Sequence, residues 1–144
     1  MPNHFHIFIK QTKKDKSTGK FLGDFINSYT KSINKKYKRS GVLFEGKTKN
    51  KIVYDETAFP ILTRYILLNP VRANLCKNFY DYEHSSAKEL LGISSEEITN
   101  KTILNYFENE EKFKKFISTD EEIDIKKIYN KPPGLLSPTP KVAP

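Results

Sequence analysis

The chain has 144 residues and a net charge of +8, and ten Phe and eight Tyr supply much of its apolar bulk. That length fits one domain with a core of its own, and no run nears the length of a membrane span. No signal peptide leads the sequence, so a soluble, cytoplasmic protein is expected. The single cysteine, Cys76, excludes an internal disulfide and a thiolate zinc cluster and leaves histidine and oxygen as the available metal ligands.

The charge is unevenly placed. Met1 to His84 holds 16 Lys/Arg against 7 Asp/Glu, whereas the remainder is close to neutral. A basic excess confined to one stretch points to a polyanionic partner, because cations that neutralise phosphates release counterions.

Taken in chain order, the first expected element is a strand over His4-Phe5-His6-Ile7-Phe8-Ile9. Its period of two sends Phe5, Ile7 and Ile9 to a core and projects His4 and His6 together from the other face. Ser17 or Thr18 then caps a long helix whose apolar positions Phe21, Leu22, Phe25, Ile26, Tyr29, Ile33 and Tyr37 form one stripe to be buried, with Gly41 as its stop. Lys51 to Tyr54 reads as a short strand. Asp55 caps a second helix, with Pro60 in its first turn and its end expected before Pro70.

On that helix Ile61, Tyr65 and Asn69 share a face, and Leu62 and Ile66 turn to the core. A short helical turn follows from Pro70 to Cys76, then an aromatic loop through His84. Ser85 or Ser86 caps a brief helix to Leu91, closed by Gly92. A last amphipathic helix is expected over about Lys101 to Ile117. Beyond it the chain turns acidic and then proline-rich, with five prolines after Lys131, which reads as a disordered tail over residues 119–144.

Two imidazoles on one strand, a phenol, and an amide oxygen one helical turn on make a set suited to metal-assisted phosphodiester cleavage by a covalent route. An ion held by His4, His6 and Asn69 would polarise the phosphate while Tyr65 attacks the phosphorus. A phenol needs such help, since at neutral pH it is a weak nucleophile unless a nearby cation favours the phenolate. Taken singly, Tyr65 on an apolar helix also reads as a core tyrosine, and Asn69 before a proline as a helix terminator.

Several motifs in this order resemble the REP-associated branch of the IS200-like tyrosine transposases, within the HUH endonuclease superfamily. They are Pro2-Asn3-His4-Phe5-His6-Ile7, the loop Arg39 to Lys47, the stretch Tyr65-Ile66-Leu67-Leu68-Asn69-Pro70-Val71-Arg72-Ala73-Asn74-Leu75, and more weakly Tyr82 to Ser86, where His84 stands in place of the family's usual tryptophan. The resemblance implies an α+β fold, a ferredoxin-like antiparallel sheet with packed helices. That catalytic domain would span residues 1–92, N-terminally incomplete because the family carries a further strand and helix ahead of the histidines. A helical C-terminal extension over 93–118 would follow.

It implies a DNA endonuclease and strand transferase of DNA transposition and recombination, with Tyr65 forming a 5′-phosphotyrosine link and His4, His6 and Asn69 binding Mg²⁺ or Mn²⁺. The partner would be single-stranded or hairpin DNA, held by Lys35, Lys36, Lys38, Arg39, Lys47 and Arg72. The enzyme would act at the nucleoid as a monomer or homodimer, without a membrane. The competing expectation is a truncated, non-catalytic relative that only binds nucleic acid; an unrelated metal-dependent hydrolase, in which Tyr65 is dispensable, is a third.

Overall fold

The computed structural model describes residues 1–119 apart from Pro2, Lys16, Glu97, Ile98 and Asn100. The expected acidic and proline-rich tail lies outside the described residues from position 120 on. The described residues fall into two compact units: residues 8–50 form one, and residues 1–7 with those from 51 to 119 form the other.

In the first unit, α1 runs over Thr18–Lys36 and begins as the sequence predicts, the Ser17 hydroxyl accepting from the Lys20 amide at 3.3 Å. Its end comes earlier than Gly41. Lys38 takes a left-handed φ of 49°, the Arg39 amide returns to the Asn34 carbonyl and the Lys38 amide to that of Lys35, a Schellman termination. Gly41 also has positive φ, but in the loop beyond, where its carbonyl accepts from Asn34 Nδ2 at 2.9 Å. The stripe is real yet not buried: no residue of α1 is buried, and Phe21 and Tyr37 are 57% and 63% exposed. Within this unit a folded-back loop offers Phe44 against Tyr29, at 6.1 Å between rings, and such a loop is too small to cover a five-turn face.

The second unit is built on α2, Phe59–Arg72, entered through a 3₁₀ turn at Glu56–Ala58. Asp55 caps that turn by accepting from the Thr57 amide at 3.0 Å, as its position predicts. The helix does not stop before Pro70. The proline removes one amide donor, but only a turn remains, and the end is closed by Asn74 at φ 55° with the Leu75 amide on the Pro70 carbonyl and the Asn74 amide on that of Val71. Asparagine tolerates that conformation where alanine is strained. Asn74→Ala is therefore expected to cost about 1 kcal/mol in urea unfolding and Asn74→Gly nothing measurable. Equal midpoints for both variants would remove the left-handed cap from the account.

Leu67 of α2 meets Phe79, Ala87, Leu90, Leu91, Phe113 and Ile117 in the core. Ala87 and Leu90 lie on α3, Ala87–Leu90, whose first amide bonds to the Ser85 hydroxyl and which is followed by Gly92 at φ 64°. Phe113 and Ile117 lie on α4, Glu110–Ser118. The single long helix expected over 101–117 is instead a 3₁₀ turn, Lys101–Tyr106, and α4. Asn109 makes the break, because its side chain accepts from the Lys112 amide at 2.9 Å and starts a new helix there.

The ferredoxin-like antiparallel sheet is not present: among the described residues there is no β-strand, and the regular structure is helical. Residues 3–10 and 51–54 carry strand patterns but no ladder. Alternation states which face would be buried, while a strand also needs a partner for its amides and carbonyls, and no described segment supplies one. Phe5 and Ile7, expected in a core, are accordingly 40% and 46% exposed. Among the described residues no helix is long and apolar enough to cross a membrane.

Candidate functional site

Residues 1–7 lie in the same unit as α2, tied to it by the Met1 amine, which donates to the Tyr82 hydroxyl, and by ring contacts of the histidines. The ring of His6 stands edge-on to that of Tyr65, with centroids 5.7 Å apart and planes at 74°. His4 stands edge-on to His6 at 5.1 Å. Two imidazole rings and a phenol thus come together from the amino-terminal segment and from α2, far apart in sequence.

Each member is held for a local reason. Asn3 Oδ1, an acceptor, lies 2.7 Å from His4 Nδ1, a contact that suits the tautomer with its proton on Nδ1. Packing beside Tyr65 and His4 strips water from His6, and that desolvation, with the neighbouring imidazole adding, pushes its pKa below the usual histidine value. Its neutral form, the one that can donate a lone pair to a cation, is thereby favoured. The sign for stability follows: between the lowered value and 6.5 the unfolded chain binds more protons, so the His6 contribution is complete above 6.5 and declines as pH falls.

Asn69 sits one turn beyond Tyr65 on α2, and its amide nitrogen is buried without a hydrogen-bond partner among the described residues. A buried amide in that condition costs about 1–3 kcal/mol unless a bound group satisfies it. Among the described residues no three His, Cys, Asp or Glu side chains gather at one point. A cation held by the two imidazoles would take the Asn69 carbonyl oxygen as a further donor, and the 5.1 Å between the imidazole centres is compatible with two ligands of one ion. Two imidazoles sharing one ion at about 2.1 Å have centres about 4.5–5.5 Å apart.

Comparison of the chain with family models, curated proteins and solved structures gives no match.

The six cations expected at DNA are all on the surface, but in different units. Lys35 and Lys36 occupy the last turn of α1, Lys38 and Arg39 its termination, and Lys47 the following loop; Arg39 also donates to the Val42 carbonyl at 3.0 Å. Arg72 ends α2 in the other unit. His84 packs edge-on to Tyr82 at 5.8 Å. Burial raises the pKa of the Cys76 thiol, with Asp81 adding to the shift, which keeps the thiol protonated and chemically quiet.

Arg64 went unremarked in the sequence. It is 3% exposed, donates to the Thr119 carbonyl, and lays its guanidinium 5.5 Å from the centre of the Phe116 ring. Its signal was available: it falls on the same helical face as Leu67 and Val71, where a charge must have a buried purpose.

Proposed function

We propose that this chain is a metal-dependent endonuclease and strand transferase for single-stranded or hairpin DNA, of the kind the REP-associated tyrosine transposases represent. The observation that carries the reading is the contact of His6 with Tyr65, with His4 directly behind it. A core tyrosine and a solvated histidine pair have no reason to meet across 59 positions of sequence.

In the proposed step the Tyr65 oxygen bonds to the scissile phosphorus as the bond from phosphorus to the 3′-oxygen breaks. The phenol proton is lost and the departing strand ends in a 3′-hydroxyl. The other strand end stays on Tyr65 as a 5′-phosphotyrosine diester, which keeps the bond energy, so a second 3′-hydroxyl can reverse the attack without ATP. His4, His6 and the Asn69 carbonyl oxygen would hold Mg²⁺ or Mn²⁺, which supplies Lewis-acid charge at the phosphate. Asn3 fixes the ring of His4, α2 fixes Tyr65 and Asn69 on one face, and Arg72 at the end of the same helix attracts the strand. The work is proposed to take place at the nucleoid.

A second reading, a non-catalytic relative that only binds nucleic acid, is favoured by the exposure of Phe5 and Ile7, which no sheet holds in place. The test is a labelled hairpin oligonucleotide with Mn²⁺, scored for a protein–DNA adduct that survives SDS. The wild type is expected to form it, and His4→Ala and His6→Ala to reduce it about 100-fold each while binding persists. Cleavage by both variants at the wild-type rate would refute the metal site, and a wild type that binds without any adduct would leave the second reading.

A further inference from the structure

On α2, next to the face that carries Tyr65, a cleft of about 350 Å³ opens between the end of the helix, the aromatic loop and α4. Three cations line it, Arg72, Lys77 and Lys114, and among its described lining residues there is no Asp or Glu. Its apolar surface comes from Leu68, Val71 and Tyr80. These residues are drawn from sequence positions far apart, which is why no motif announces them.

We infer that this cleft is a nucleotide subsite for the strand presented to Tyr65, taking one base and its flanking phosphates; the inference rests on the DNA reading above. Volume is the first argument, since a pocket at the lower end of the ligand-site range admits about one nucleotide. Chemistry is the second. Phosphates are met by an Arg fork and two ammonium groups, and the flat face of a base by an aromatic ring and two aliphatic side chains.

The wall is also prepared in advance. Tyr80 is braced edge-on at 5.3 Å by Phe79, which is 3% exposed, so the ring is anchored to the core. Lys114 is exposed and holds its ammonium over the Tyr80 ring, 4.8 Å from its centre. Arg72 follows Asn69 by three positions on α2, so a strand seated in the cleft continues along the helix toward the candidate site.

The experiment measures binding of fluorescein-labelled octathymidylate to the full chain by anisotropy, without divalent ion, so that it is independent of cleavage. Lys77→Ala/Lys114→Ala is expected to weaken binding at least tenfold and to lower the slope of log affinity against log salt by about 1.4, two phosphates' worth. Lys88→Ala/Lys101→Ala, an equal loss of charge elsewhere, is expected to stay within twofold. With the wild type, an octamer of abasic sites is expected to bind at least about fivefold more weakly than octathymidylate. Equal losses in the two double variants, or equal affinity for the abasic strand, would overturn the subsite. So would a phosphoserine peptide that binds as tightly as the oligonucleotide. Failure of the DNA reading itself would appear separately, as a wild type that forms no adduct on the hairpin.

Discussion

Tyr65→Phe is expected to form no SDS-resistant adduct with a hairpin oligonucleotide, a loss of at least about 10³-fold, while its affinity for the strand stays within about twofold. The substitution removes one oxygen and keeps the ring, so the edge-on contact with His6 and the packing of α2 are preserved. A structural role for Tyr65 would predict the opposite pattern: altered stability, and binding and cleavage falling together. An adduct that survives in the variant would show that another group attacks the phosphorus. Its position in a peptide map would then name that group, with Tyr82 the first to examine because its hydroxyl lies by the amino-terminal segment.

Phe113→Ala is expected to destabilise the α2 unit by about 3–5 kcal/mol, measured as a shift of the urea transition followed by circular dichroism. Phe113 has no exposed surface, lies in the cluster with Leu67 and Ile117, and is met edge-on by Phe107 at 5.2 Å. Deleting the ring leaves a cavity that these neighbours cannot close without losing their own contacts. Against a total stability of about 5–15 kcal/mol for a domain, such a loss is a large share of the whole. Phe113→Leu, which refills most of the volume, should lose much less. A shift below about 1 kcal/mol for the alanine variant would mean that α4 contributes little to this core.

The parts of the fold that were legible in the sequence are those that depend on neighbours in the chain. Ser17 and Asp55 cap the elements they precede because the bonds they make span two or three residues. Tyr65 and Asn69 share a face because helical spacing puts them there. The expected sheet is absent among the described residues, and the sequence could not reveal this, because the pattern of His4 to Ile9 specifies a face and says nothing about whether a second strand exists to bond with it. The α1 stripe was misjudged for the same reason: spacing marks Phe21 and Phe25 as one face but does not provide what would cover it. The local geometry of Pro70 marks a barrier, but the helix runs two residues past it to Arg72 before the Asn74 termination closes it. Of the candidate site, the identity of His4, His6 and Tyr65 was legible, and their mutual contact was not, since it joins residues 6 and 65 through space. Lys77 and Lys114 act through partners remote in sequence and left no local trace, whereas Arg64 could have been found from its place on the face of α2 that also carries Leu67.

The buried guanidinium of Arg64 and its acceptor at Thr119 set a schedule for the newborn chain. Leu67 and its helix leave the ribosome some fifty residues before Ile117 and the Thr119 carbonyl that complete their packing. At about 5–20 residues per second, and with the exit tunnel still to clear, α2 spends seconds with its apolar face uncovered and its Arg64 guanidinium without the Thr119 carbonyl. A pause in translation within that interval would prolong exposure of the helix that carries Tyr65, and a stop placed ahead of α4 would yield a chain whose core cannot close.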